Sequence, residues 1–65
     1  MLKEAKELLK KKRIAKKMTQ SQLAEKVFVG RTTISMIESN TNYLPSPQLA
    51  KLLGQELDFD WTIFF

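Results

Sequence analysis

Residues 19–39 read TQSQLAEKVFVGRTTISMIES, and this stretch decides the architecture. Thr19 is followed three residues on by Gln22. That spacing is a capping box, in which two side chains satisfy backbone N–H groups that the start of a helix leaves without partners. A helix over 20–27 follows, with Leu23, Ala24 and Val27 on its inner side. Only Phe28, Val29 and Gly30 stand before the next helix, over 31–39, for which Gly30 is an acceptable N-cap. Ile34 and Ile37 mark the inward side of that helix. Two short helices joined by so short a link must cross steeply instead of lying antiparallel. Ala24 is small where the two approach each other, and Val29 is expected to plug the core beneath the turn.

Working outward, the pattern stays helical. Leu2, Ala5, Leu8, Leu9 and Arg13 recur at three- and four-residue steps, which predicts a first helix over 2–16 with lysines on its other side. Residues 40–45 are a polar connection. Ser46-Pro47 then marks a new start, serine as N-cap and proline at the first helical position. Leu49, Leu52, Leu53 and Leu57 stripe the helix that follows. Asp58 or Asp60 is placed to cap a short fifth turn carrying Trp61, Ile63 and Phe64. No segment alternates like a strand, so the expected class is all-α, a compact bundle of four to five short helices.

The chain has 65 residues, which suits one domain, 1–65, with one modest core. It has no cysteine and no histidine. Disulfides are therefore excluded, and a metal site would have to be built from carboxylates alone, so neither metal nor cofactor is expected. With no Gly-rich phosphate loop either, the chain does not read as an enzyme. No apolar run reaches the roughly 20 residues of a membrane span, and the start, Met1-Leu2-Lys3-Glu4, is charged at once, unlike a secretory signal.

The net charge of +4 is unevenly spread: residues 1–17 carry +6 and residues 18–65 carry −2. A basic first third points to a polyanion, either nucleic acid or an anionic membrane surface. A solvated lysine-rich helix face would look the same. The outward side of the helix over 31–39 is more specific. Thr32, Ser35, Met36 and Ser39 fall there, with Arg31 at the edge, and Arg31 is its only charge. Such a surface suits a major groove. Arginine can grip guanine O6 and N7 with a fork, threonine and methionine can touch a thymine methyl, and serine can donate or accept. A plain exposed helix rich in Ser and Thr is the equal alternative. Gln20, at the start of its helix, could hold a phosphate or reach an adenine, or simply be a cap residue. Arg13 and Glu38 both border inward faces. A salt bridge between them would tie the first and third helices together, contributing about 1 kcal/mol if partly exposed.

These residues resemble the Cro/C1-type helix-turn-helix of phage repressors. The resemblance lies in Thr19-Gln20-Ser21-Gln22-Leu23-Ala24-Glu25-Lys26-Val27, then Val29, then Arg31-Thr32-Thr33-Ile34-Ser35-Met36-Ile37-Glu38. It extends to Leu9 and Arg13-Ile14 before, and to Pro45, Leu49, Leu53-Gly54 and Asp60-Trp61 after. The resemblance implies a lambda-repressor-like, sequence-specific DNA-binding domain, phage or bacterial, acting as a repressor of transcription. Its partner would be a pseudo-palindromic double-stranded operator, bound as a homodimer with the third helix in the major groove. Arg31, Thr32, Thr33 and Met36 match base-contacting positions, and Gln20 matches a contact at the helix start. Asn40, Asn42 and Tyr43 lie in a loop, 40–43, that matches a segment following the DNA backbone. Arg13 and Glu38 match an internal salt bridge. The stretch 57–65 matches a dimer seam. A cytoplasmic, nucleoid-associated location follows from that function.

Three positions depart from the family pattern. Phe28 stands where a turn glycine is usual, a position that often takes a left-handed backbone at a cost of roughly 1 kcal/mol to other residues. Phe28 is therefore expected to be exposed and strained. Gly30 replaces a common serine or threonine N-cap, and Lys17 replaces a common glycine at the end of the first helix. The tail Trp61-Thr62-Ile63-Phe64-Phe65 is strongly apolar. It could close the core, form a dimer seam or lead into a further domain. It also gives some support to a second reading, an antitoxin-like module of the same fold that binds a toxin or other protein.

Overall fold

A computed structural model describes residues 2–39 and 42–65, with the Leu2 side chain outside the described part. Four α-helices follow in order: α1 (Leu2–Ala15), α2 (Gln20–Lys26), α3 (Arg31–Glu38) and α4 (Pro47–Leu57). A short 3₁₀ turn, Trp61–Phe64, closes the chain. The described residues form no strand. The all-α bundle expected from the periodicity is what forms, and α1, α2 and α3 each end within a residue of the expected place.

The caps explain those boundaries. Thr19 Oγ1 accepts from the Gln22 N–H at 3.0 Å while Gln22 Oε1 accepts from the Thr19 N–H at 2.8 Å, so the capping box is complete. Ser46 Oγ accepts from the Leu49 N–H at 3.2 Å ahead of Pro47. Of the two aspartates considered for the last turn, Asp60 is the cap. Its Oδ1 accepts from the Thr62 hydroxyl at 2.7 Å and from the Thr62 N–H at 3.0 Å. These two bonds hold its carboxyl below the ordinary aspartate range, the hydroxyl contributing most.

Asp58 has a different job. It ends α4 in the left-handed region at φ 58°. Lys17 ends α1 at φ 57° and Phe28 ends α2 at φ 63°, so among the described residues every left-handed residue terminates a helix and none is glycine. Behind Lys17, the Met18 N–H reaches back to Arg13 O at 3.2 Å and the Lys17 N–H to Ile14 O at 2.9 Å. Behind Phe28, the Val29 N–H reaches Ala24 O at 3.0 Å and the Phe28 N–H reaches Glu25 O at 3.3 Å. These paired bonds satisfy carbonyls that a helix end leaves open. The left-handed backbone they require is what glycine would supply without strain.

The core draws on every element. Ala5 and Leu9 come from α1, Leu23 and Ala24 from α2, Ile34 and Ile37 from α3, and Leu49, Ala50, Leu53 and Leu57 from α4. Val27 adds to it after α2, and Phe64 seals one end. Val29 is half-buried against this cluster, as the turn required. No described helix is long and apolar enough to cross a membrane.

Much of the terminal tail is consumed by the same core. Phe64 is buried, and Phe59, Trp61 and Ile63 pack partly against the cluster. Gly54 makes this possible: a Cβ there would stand 2.7 Å from Phe59 O and 3.0 Å from Trp61 Cβ. Lys16 joins the far ends of α1 and α4, its Nζ donating to Glu56 O at 3.0 Å and lying 3.6 Å from the Asp58 carboxylate. A cation at that place also opposes the negative end of the α4 dipole.

Candidate nucleic-acid interface

The surface singled out from sequence is assembled by α2, α3 and the segment after α3. Arg31 and Thr32 are exposed in the first turn of α3, and Met36 is exposed one turn later. Ser35 is half-buried between them. At about 100° per residue these four share one side of the helix, opposite Ile34 and Ile37, which are fully buried. Thr33 sits at the border of that side. It is half-buried and lines a groove of about 430 Å³ with Val29, Tyr43 and Gln48, between the α2–α3 turn and the start of α4. Asn42 is exposed and Tyr43 half-buried, packed against the core. Asn40 lies outside the described residues.

The N-terminus of α3 departs from the expected cap chemistry as foreseen. Gly30 adopts φ −81°, ψ 157° and makes no side-chain cap bond. Its position is open, with nothing within 4 Å of where a Cβ would be. The first N–H groups of α3 are therefore not occupied by a capping side chain. Phe28, just before, is 83% exposed.

Behind this surface lies a buried polar network. Arg13 Nε donates to Glu38 Oε2 at 2.7 Å, and its Nη2 donates to Glu38 Oε1 at 3.0 Å. Arg13 Nη1 donates to Met18 O at 2.8 Å. Gln20 Nε2 also donates to Glu38 Oε1, at 3.1 Å. A carboxylate can only accept, so the nitrogen of the Gln20 amide must face Glu38 and its oxygen is turned elsewhere. The side chains of Arg13 and Glu38 are only 11% and 4% exposed. The pair is withdrawn from water because α1, α2 and α3 all close around it, so the value of about 1 kcal/mol that holds for a partly exposed pair does not apply.

The network has an electrostatic result. Glu38 is the only acidic residue on α3, and its charge is compensated within the fold. No uncompensated carboxylate stands on that helix.

Lys6 was not separable from its neighbours in sequence, being one of seven lysines in residues 1–17. Unlike the exposed Lys3, Lys10, Lys11, Lys16 and Lys17, it is 5% exposed. Its Nζ donates to Ile37 O and to Tyr43 O, both at 2.8 Å. Burial pushes its pKa down. Nothing in a linear pattern of lysines marks this one, since the two carbonyls come from distant parts of the chain.

The profile of a family described as helix-turn-helix matches residues 9–64. The chain is similar to an uncharacterized HTH-type transcriptional regulator, YqaF, of Bacillus subtilis strain 168. The two are 46% identical over 57 residues, covering 88% of this chain and 74% of that protein. No solved structure matches.

Proposed function

The chain belongs to the helix-turn-helix family of the Cro/C1 type, and from that premise, which brings DNA-binding transcription regulation with it, we propose a sequence-specific repressor working as one domain over residues 1–65. In this reading α3 enters the major groove of a pseudo-palindromic operator bound by a homodimer. Arg31 reads a guanine edge, Thr32 and Met36 meet thymine methyls, and Ser35 adds a polar contact within reach of the same groove. Thr33, being half-buried at the edge of this side, serves the flank of the groove. Gln20 keeps its amide nitrogen on Glu38 and offers its oxygen, an acceptor, to an adenine amino group. Asn40, Asn42 and Tyr43 follow the DNA backbone.

The observation that carries this reading is the compensated Glu38. An exposed helix side with Arg31 at its lip, compact polar and methyl-bearing side chains along it, and its one carboxylate neutralised from behind is suited to a groove lined by phosphates. The open N-terminus of α3 favours anions for the same reason.

The antitoxin-like reading drew its support from the apolar tail. Most of that tail is spent on the core, leaving Phe65 as its exposed aromatic residue, at 65%. The exposed side of 57–65 remains the proposed seam between two copies, as the family resemblance implies. The location this function implies is the cytoplasm, on the nucleoid.

Selection of bound duplexes from a random pool, at near-physiological salt, tests the proposal. Enrichment of a two-fold motif with half-sites about one helical turn apart is the expected result. Binding that is only salt-sensitive, with no enriched motif, would reject sequence-specific repression. Co-purification with a second small chain would move the antitoxin-like reading into its place.

A further inference from the structure

We propose that Lys6 is a positioning residue for DNA binding: its ammonium ties the end of the recognition helix to Tyr43 and so sets where the Asn42–Tyr43 stretch stands relative to that helix on the DNA. The inference rests on the DNA-binding reading above and adds a role to a residue outside the helix-turn-helix itself.

The geometry is specific. Ile37 O belongs to the last turn of α3, where the final carbonyls have no partner within the helix. Tyr43 O lies at the exit of the connection, just ahead of Leu44 and the buried Pro45. One Nζ at 2.8 Å from both oxygens joins them directly.

Three features make the ammonium the right group. It is a cation at the negative end of the α3 dipole. Its bonds are charge-assisted, and stronger for being shielded from water. It is carried on α1, whose Arg13 holds the same end of α3 through Glu38. The first helix therefore grips α3 at adjacent points, and Lys6 extends the grip across to Tyr43. Because its charge is buried and committed to two carbonyls, Lys6 is set apart from the exposed lysines of α1, which are available to phosphates.

The test separates positioning from phosphate contact and from plain stability. Lys6→Met keeps the length and loses the donor. In the folded variant, binding to the duplex selected by wild-type protein should weaken by about tenfold, the equivalent of one charge-assisted bond. The slope of log K against log salt should stay as in wild type, since no phosphate contact is lost. Lys6→Arg should recover most of the affinity. A folded Lys6→Met that binds as wild type would overturn the proposal, leaving Lys6 a purely structural residue. A slope shallower by about one unit would also overturn it, in favour of a direct phosphate contact.

Should Lys6→Met fail to fold, the ammonium resonance of Lys6 in wild-type protein decides the matter. It should be visible and slow to exchange in the free protein, and unchanged when the selected duplex is added. Fast exchange like that of the other lysines, or transfer of the ammonium to a phosphate on addition of DNA, would refute the clamp. Wild-type protein that selects no duplex would instead reject the functional reading, and this inference with it.

Discussion

Arg13 on α1 and Glu38 at the end of α3 meet as a forked pair, Nε to Oε2 at 2.7 Å and Nη2 to Oε1 at 3.0 Å, with both side chains nearly out of water. Gln20 on α2 donates to the same carboxylate. Three helices thus share one charge cluster at the back of the proposed DNA surface. Removing one partner strands the other as a buried charge. Glu38→Ala is expected to cost about 3 kcal/mol of stability, measured by urea unfolding. Replacing both, as Arg13→Met with Glu38→Leu, should cost clearly less than the sum of the two single changes. A loss under about 1 kcal/mol for Glu38→Ala would show that the pair behaves like a surface one.

Phe28 is held at φ 63° with its ring 83% exposed. The strain falls on a side chain that packs little. Phe28→Gly should therefore stabilise the protein by about 1 kcal/mol, seen as a rise in Tm of roughly 4–8 °C for a domain of this size. A clear fall in Tm would mean that the phenyl ring contributes packing that its exposure does not reveal.

The two glycines should answer in opposite directions. Gly54 lies within 2.7 Å of Phe59 O at its missing Cβ. Gly54→Ala must push the chain after α4 away from the helix, at a cost of about 1–3 kcal/mol. Gly30 has open space and ordinary backbone angles. Gly30→Ser adds a capping oxygen for α3 and restricts the unfolded chain, so a gain of about 0.5 kcal/mol is expected. Thermal unfolding of both variants checks the pair, and a stabilised Gly54→Ala would contradict the close approach.

Base readout and backbone contact should separate in binding to the selected duplex. Arg31→Ala should cost about 1–3 kcal/mol and relax one base position. Lys10 is exposed on α1, three and four residues from Arg13 and Lys6, whose side chains reach the end of α3. Lys10→Gln should weaken all sequences alike and make the salt slope shallower by about one unit. Lys16 already spends its Nζ on Glu56 O beside Asp58, so Lys16→Gln should leave the slope unchanged. Equal salt effects from Lys10 and Lys16 would show that the side of α1 does not select its phosphate contacts.

The helices, their caps and the inward faces are legible in the amino-acid sequence. The reason is that these are set over three to four residues: Thr19 with Gln22, Ser46 with Pro47, Ile34 with Ile37. The left-handed backbone at Phe28 is implied by the family resemblance, whose turn glycine stands there, and not by the residues of the turn themselves. The outward side of α3 was equally legible, once the inward side was known. The contacts between distant segments, by contrast, arise only once the chain has folded. The depth at which Arg13 and Glu38 are buried depends on three helices closing together. The selection of Lys6, from a run of lysines alike in local pattern, depends on two carbonyls 31 and 37 residues away. The commitment of Lys16 to the end of α4 and the fate of the apolar tail, whose Phe64 is buried while Phe65 is not, belong to the same class. A side chain's neighbours in sequence limit its conformation, but its solvation and its partners are set by whatever the folded chain brings beside it.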